Sequence, residues 1–227
     1  MNVVIDKILE ELRSKGSEKN REGMSRFGIN VNKAFGVSVP DMRRIAKQIG
    51  KDHELALKLW KTGYHEARIV ASMIDDRKLV TEKQMDDWVK DFNSWDLCDQ
   101  CCGNLFDKTP FAYKKAIQWS RAKEEFVKRA GFTLMATLSV HDKKAENKKF
   151  TKFLPIIKRE SADNRNFVKK AVNWALRQIG KRNRELNQEA VKTAKEILKM
   201  DSKAAKWVAS DAVRELTSVS VQKRLKP

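Results

Sequence analysis

Three stretches of the sequence share one pattern: FVKRAGFTLM at 126–135, FVKKAVNWALRQIG at 167–180 and WVASDAVRELT at 207–217. Each begins with an aromatic residue followed by valine, and each continues with apolar residues at helical spacing. Their first residues, Phe126, Phe167 and Trp207, lie 41 and 40 positions apart. A related stretch, HEARIVASMI, begins further upstream at His65. This recurrence indicates that one helical unit of nearly constant length is repeated along the chain.

The rest of the sequence agrees with an all-helical chain. Glycine occurs 9 times and proline 4 times, and no segment alternates apolar and polar residues as an amphipathic strand would. A period near 40 residues in such a chain is typical of HEAT or armadillo units, which stack because one unit cannot bury its apolar face alone. The alternative is a chance likeness between amphipathic helices. We therefore predict an all-α fold, a HEAT-like helical-repeat solenoid with a concave basic face. It forms a single domain over 1–227, with an N-terminal helical segment at 1–34 and stacked repeats over 35–227.

The charge of the chain predicts a polyanionic partner. Lys and Arg number 48 against 30 Asp and Glu, which gives a net charge of +18 and a pI near 9.9. Nucleic acid is the first expectation for such an excess, and an anionic membrane surface is the second. No run approaches the roughly 18 apolar residues of a membrane span, and the N-terminal MNVVIDKILEELRSK has a helical charge pattern unlike a secretory signal. We expect a cytoplasmic protein that does not engage a membrane.

A row of cations interrupted by a tryptophan marks the helix predicted within 163–187. Lys170, Trp174, Arg177 and Lys181 follow one another at intervals of four, three and four residues, on a different face from the apolar stripe. Such a row suits a phosphate backbone, with the indole against a sugar or base. The alternative is an ordinary solvated face whose tryptophan leans onto a neighbouring helix.

The stretch SWDLCDQCCGNLF at 94–106 contains all three cysteines of the chain. Zinc would need a further Cys or His cluster, and the three histidines stand without paired spacing, so we expect no metal and predict reduced thiols packed in the core. We expect Asn93 to cap the helix and Asp96 to support that cap. Asp99 has no such structural explanation, and it shares a helix face with Trp95, four residues earlier. Trp95 and Asp99 are therefore candidates for chemistry.

These elements resemble those of the AlkD-like DNA alkylation repair glycosylases, a family of HEAT-like repeat proteins. The resemblance is carried by SWDLCD at 94–99, VKRA at 127–130 and VKKAVNWALR at 168–177. It extends over most of the chain, from FGVSVPDMRRIAK at Phe35 to the C-terminal WVASDAVRELT. The paired tryptophans that precede the first aspartate in the family are Ser94 and Trp95 here.

The resemblance implies a DNA glycosylase of base excision repair. Such an enzyme hydrolyses the N-glycosidic bond of cationic alkylated bases, such as 3-methyladenine and 7-methylguanine, in duplex DNA. The family's active site of one Asp, two Trp and one Arg matches Asp99, Trp95, Trp174 and Arg129. The DNA contacts expected beside them are Lys128, Lys170, Arg177 and Lys181. We expect no cofactor, and we expect a monomer whose partner is double-stranded DNA with alkylated bases.

The chemistry explains why these residue types would suit the reaction. N-alkylation makes the base a good leaving group, so the remaining difficulty is the positive charge that develops on the sugar. A fixed carboxylate stabilises such a charge, which is the role expected for Asp99. Indole faces attract cations, and a guanidinium holds a flanking phosphate. Two alternatives stay open: a non-catalytic nucleic-acid-binding HEAT scaffold, which gives no reason for Asp99, and a protein-interaction adaptor.

Overall fold

A computed structural model describes residues 3–225 of the chain. All the regular secondary structure in that range is helical and none of it is β-strand, which confirms the predicted all-α class. The helices before residue 110 are α1 (Val3–Lys15), α2 (Glu18–Arg26), α3 (Val39–Ile49), α4 (His53–Lys61), α5 (His65–Ile74), α6 (Glu82–Lys90) and α7 (Trp95–Asn104), followed by a 3-10 turn at Phe106–Lys108.

The helices after residue 110 are α8 (Ala112–Trp119), α9 (Glu125–His141), α10 (Asn147–Thr151), α11 (Leu154–Glu160), α12 (Asn166–Gly180), α13 (Arg184–Leu198), α14 (Lys203–Leu216) and α15 (Val219–Gln222). Cα proximity divides the chain into two compact units, Met1–Thr109 and Pro110–Pro227. Each unit is described by itself below. The single domain expected over 1–227 stays a prediction.

In the first unit, α5 is the central helix. It packs against α3, α4 and α7, and α1 of the N-terminal segment packs on α4 and α5 through its buried Ile8 and Leu12. Buried apolar residues occupy most of α5, since this helix has neighbours on several sides. The indoles of Trp60 and Trp88 stack with ring centroids 3.8 Å apart. Such offset or parallel aromatic contacts add to the energy of apolar burial.

In the second unit, the three repeated stretches are consecutive central helices. FVKRAGFTLM lies in α9 and FVKKAVNWALRQIG in α12, and WVASDAVRELT lies in α14 up to Leu216. Helix α9 packs on α8 and α12, and α12 packs on α13 and α14, so neighbouring repeats bury each other's apolar faces. The rings of Phe126 and Phe167, which begin two of the stretches, lie 5.6 Å apart. This layering is the arrangement that the repeat spacing predicts.

Local sequence signals place many of the helix starts. The side chains of Ser38, Asp52, Thr81, Asn183 and Ser202 each accept a backbone N–H at the start of a helix. Such caps satisfy donors that have no partner within the helix, and each typically contributes about 1 kcal/mol. Short polar residues therefore separate the apolar repeats along the chain.

A close approach between α9 and the end of α8 requires glycine at position 131. A Cβ at Gly131 would lie 2.5 Å from the backbone nitrogen of Ser120, whereas a Cβ at Gly23 in α2 would meet nothing within 4 Å. We expect Gly131→Ala to lower the free energy of unfolding by about 1–3 kcal/mol, since backbone must move. We expect the matched Gly23→Ala to raise it by about 0.5–1 kcal/mol, because alanine favours a helix. Urea denaturation measures both, and equal stability of Gly131→Ala and the parent would contradict this packing.

Candidate functional site

Trp95 and Asp99 lie one turn apart on α7, as the sequence predicts. Both side chains are partly exposed, while Leu97 and Cys98 between them are buried. The indole N–H of Trp95 donates to the backbone carbonyl of Phe27 at 3.0 Å. That bond fixes the indole against the turn after α2, so the orientation of Trp95 depends on the N-terminal segment.

The start of α7 differs from the expected cap at Asn93. The N-cap residue is Ser94, whose side chain makes no capping hydrogen bond, and Asp96 contacts another helix instead. Its Oδ2 lies 2.8 Å from His65 Nε2 at the start of α5. Burial raises the pKa of Asp96, but the hydrogen bond and charge of His65 outweigh it, so the pKa is lowered. Burial lowers the pKa of His65, and Asp96 and Glu66 outweigh that effect, so the pKa is raised. The hydrogen bond between His65 and Asp96 ties α7 to α5.

The neighbouring Glu66 is a buried carboxylate that holds the loop before α3. It is 0% exposed. Its oxygens accept the backbone N–H groups of Phe35 at 3.0 Å, Gly36 at 2.8 Å and Val37 at 3.2 Å. A buried charge is tolerated when several donors surround it. Sequence reasoning missed both Glu66 and the His65–Asp96 pair. The one signal is a shared interval of 31 residues from Phe35 to Glu66 and from His65 to Asp96.

The three cysteines are core residues. Cys98, Cys101 and Cys102 are free thiols with no exposed surface, which confirms the predicted packing role. Burial raises the pKa values of Cys101 and Cys102, so both stay protonated near neutral pH. Among residues 3–225, no group of three or more His, Cys, Asp and Glu side chains is arranged to hold a metal ion.

Arg129 and Trp174 lie on adjacent helices of the second unit. Arg129, on α9, is 5% exposed, and its Nη1 donates to the carbonyl of Phe167 at 2.6 Å, where α12 begins. Trp174 is half-buried two turns further along α12. The α9–α12 packing therefore positions the guanidinium through a backbone contact that sequence reasoning did not foresee.

The row on α12 is less free than the sequence suggests. Lys170 is exposed, but Arg177 bonds to Glu215 and lies 3.6 Å from Asp211, while Lys181 bonds to Glu215 at 2.6 Å. Burial raises the pKa of Glu215, and the two cations outweigh that effect and lower it. These acidic partners lie on α14. The sequence pattern does not reveal where α14 packs relative to the cations of α12.

Lys128 is also held by carboxylates. Its Nζ lies 2.7 Å from Glu160 and 3.3 Å from Asp163, and its side chain is only 12% exposed. A phosphate would have to compete with both partners for this ammonium group. The roles predicted for Lys128, Lys170, Arg177 and Lys181 stay predictions, and Lys170 is the most accessible of the four.

The site residues thus fall into two groups. Trp95 and Asp99 share a face of α7 in the first unit, and Arg129 and Trp174 lie on neighbouring helices of the second. That the two groups face each other, and that all four residues act in catalysis, stays a prediction. Within residues 3–225, no helix combines the length and apolarity needed to cross a membrane.

A solved structure shares this fold. It is described as belonging to "a new family of proteins related to the HEAT-like repeat DNA glycosylases with affinity for branched DNA structures". The TM-score is 0.77 and the sequence identity 24%, over 93% of this chain and 94% of that one. The predicted HEAT-like helical-repeat fold is therefore confirmed.

The sequence itself identifies the family. The model of the DNA alkylation repair enzyme family matches residues 8–216, so the chain belongs to that family. A comparison with curated proteins finds no match. The resemblance noted at 94–99, 127–130 and 168–177 is confirmed at the level of the family.

The His65–Asp96 pair gives stability a specific dependence on pH. The pKa of His65 is raised above 6.5. Its contribution to the free energy of unfolding is therefore complete below pH 6.5 and is lost as the pH rises through the folded-state pKa. The pKa of Asp96 is lowered below 3.8, so its contribution is lost only as the pH falls through that lower value. We expect His65→Gln to lower the free energy of unfolding by about 1–2 kcal/mol at pH 5.5 and by less at pH 8.5.

Chemical denaturation across this range, with His141→Gln as the control, measures the effect. His141 is exposed at the end of α9. A difference between His65→Gln and the parent that does not change with pH would show that no proton-linked pair exists.

Proposed function

We propose that this protein is a DNA glycosylase that releases cationic alkylated bases from duplex DNA. The observation that carries the proposal is the pairing of Trp95 and Asp99 on one face of α7 in a chain of the DNA alkylation repair enzyme family. The substrate class, 3-methyladenine and 7-methylguanine, is the one that the family resemblance implies.

The proposed reaction divides the work between carboxylate, indole and guanidinium. As the N-glycosidic bond stretches, electrons pass to the cationic base, which leaves neutral, and positive charge develops on the sugar. The Asp99 carboxylate stabilises this charge and orients the water that adds to C1′, and a proton then passes from that water to solvent. Trp95 and Trp174 offer faces for cationic and sugar C–H groups, and Arg129 holds a flanking phosphate. No cofactor takes part in this scheme.

A second candidate is a DNA-binding protein without base-release activity. It is favoured by one observation: the structural relative with the same fold is described by its affinity for branched DNA. The two candidates share the net charge of +18 and the repeat fold. They differ in whether the carboxylate of Asp99 has a chemical task, and so a base-release assay separates them.

We expect Asp99→Asn to slow the release of 7-methylguanine from methylated duplex DNA by about 100-fold or more, the effect of removing one preorganised electrostatic group. DNA affinity should be kept or increased, since a carboxylate close to phosphates opposes binding. Chromatography of released bases and fluorescence anisotropy measure the two quantities. Glu54→Gln removes an exposed carboxylate from α4 and serves as the control.

Two results would contradict parts of this proposal. If the parent releases base and Asp99→Asn releases it at the same rate, the catalytic role of Asp99 is wrong. If the parent releases no base but binds a four-way junction more tightly than linear duplex, the DNA-binding candidate holds.

A further inference from the structure

A basic cavity of about 410 Å³ lies in the first unit, and none of the candidate site residues or DNA contacts predicted from the sequence lines it. Its charged lining consists of Arg43, Lys47, Lys51 and Lys108. The remaining lining residues carry no charge, and none of the lining residues is acidic. Four cations around one cavity without a carboxylate create a strongly positive potential, which is the environment that an anion requires.

Arg43 and Lys47 are two lining cations whose charge no ion pair in the described part of the chain balances. They lie four residues apart in α3, both are exposed, and neither makes an ion pair with any residue in the described range 3–225. By contrast, the adjacent Arg44 is paired with Asp41. Like charges at this spacing on a helix are mildly unfavourable without a counter-ion. A bound anion between them would relieve that repulsion.

Lys51 and Lys108 are held in place by main-chain contacts. Lys51 Nζ donates to the carbonyls of Met73 at 2.9 Å and Asp75 at 2.7 Å, at the end of α5. Lys108 Nζ donates to the carbonyls of Gly103 at 3.0 Å and Asn104 at 2.6 Å, at the end of α7. Terminal helix carbonyls commonly receive such donors. The contacts fix both ammonium groups beside the cavity without neutralising their charge.

The pKa of Lys108 is set mainly by burial, with smaller effects of the neighbouring charges. Burial lowers the pKa of this lysine, Asp107 raises it, and Lys51, Arg77 and Arg43 lower it further, so the net shift is downward. Lys128, Arg177 and Lys181, three of the DNA contacts predicted in the second unit, are by contrast in contact with carboxylates. The cavity therefore offers an anion four cations and no carboxylate among its lining residues.

We propose that the cavity formed by Arg43, Lys47, Lys51 and Lys108 binds a phosphate group, and that a strand of bound DNA supplies it as a backbone phosphate. The proposal of a DNA source rests on the proposed function. The phosphate chemistry does not, because a small phosphate compound presents the same oxygens. Arg43 supplies a planar donor fork for two of those oxygens, while the lysines act as positioned point charges.

The double variant Arg43→Gln/Lys47→Gln tests the DNA source. It leaves Lys51 and Lys108 at their helix ends. The control, Lys58→Gln/Lys61→Gln, removes the same charge from exposed positions on α4 in the same unit. Anisotropy with an undamaged duplex of about 20 base pairs, from 50 to 200 mM salt, gives the dependence of log K on log salt. We expect the slope to fall in magnitude by about 2 for the cavity variant, since each phosphate contact contributes about 0.9, and to change little for the control.

A second measurement tests the phosphate chemistry without DNA. Inorganic pyrophosphate is titrated against the full chain while its melting temperature is followed. We expect stabilisation of the parent and of the Lys58→Gln/Lys61→Gln control, and loss of that stabilisation in Arg43→Gln/Lys47→Gln, because ligand that binds the native state raises its stability.

The two measurements separate failure of this inference from failure of the proposed function. If the parent binds DNA and both variants lose the same slope, the effect is net charge alone and the DNA source is overturned. If the parent binds no DNA but pyrophosphate stabilisation depends on Arg43 and Lys47, the phosphate site holds, its source is a small molecule, and the proposed function fails. If neither measurement responds to the cavity variant, the inference is wrong.

Discussion

The buried carboxylate of Glu66 is the constraint on which much of the first unit depends. It lies in the first turn of α5, where the helix dipole favours negative charge, and it accepts backbone donors from the loop before α3. The preceding residue, His65, bonds to Asp96 and so fixes the start of α7. One end of a single helix thus positions both a loop and the helix that carries Trp95 and Asp99. Removing the Glu66 carboxylate would leave its buried backbone N–H donors without an acceptor, which is costly in a core.

The basic residues of this chain differ in whether a carboxylate already holds them. In the second unit, cations on one helix meet carboxylates on the next, as in the contacts of Arg177 and Lys181 with Glu215. These bonds lock neighbouring repeats to each other, and a phosphate must displace a carboxylate to use them. In the first unit, Arg43 and Lys47 have no such partner within residues 3–225. The net charge of +18 is therefore not equally available to a phosphate at every position. Counting basic residues alone overestimates how much positive charge the α12 row of Lys170, Arg177 and Lys181 can offer to DNA.

The repeat length also differs between the units, which explains why the sequence pattern is clearest in the second. Several contacts between repeats join residues 38 apart there, among them Arg129 with Phe167 and Arg177 with Glu215. In the first unit the corresponding interval is 31, from Trp60 to Asp91 and from His65 to Asp96. A period near 40 residues therefore matches α9, α12 and α14, while HEARIVASMI is the one related stretch that the sequence pattern shows upstream. The repeats of the first unit pack in the same way but are shorter.

The sequence by itself determined the helical class, the repeats, the buried cysteines and the family, because apolar periodicity and local motifs are properties of neighbouring residues. It also put Trp95 and Asp99 on one helix face, since their spacing requires it. Only the tertiary structure decided the partners of charged groups: Asp96 with His65 rather than with a cap, Glu66 with a distant loop, and Lys128 with Glu160 and Asp163. The physical reason is that these particular contacts join residues about 30 or more positions apart, so helix packing, not local spacing, brings their atoms within bonding distance.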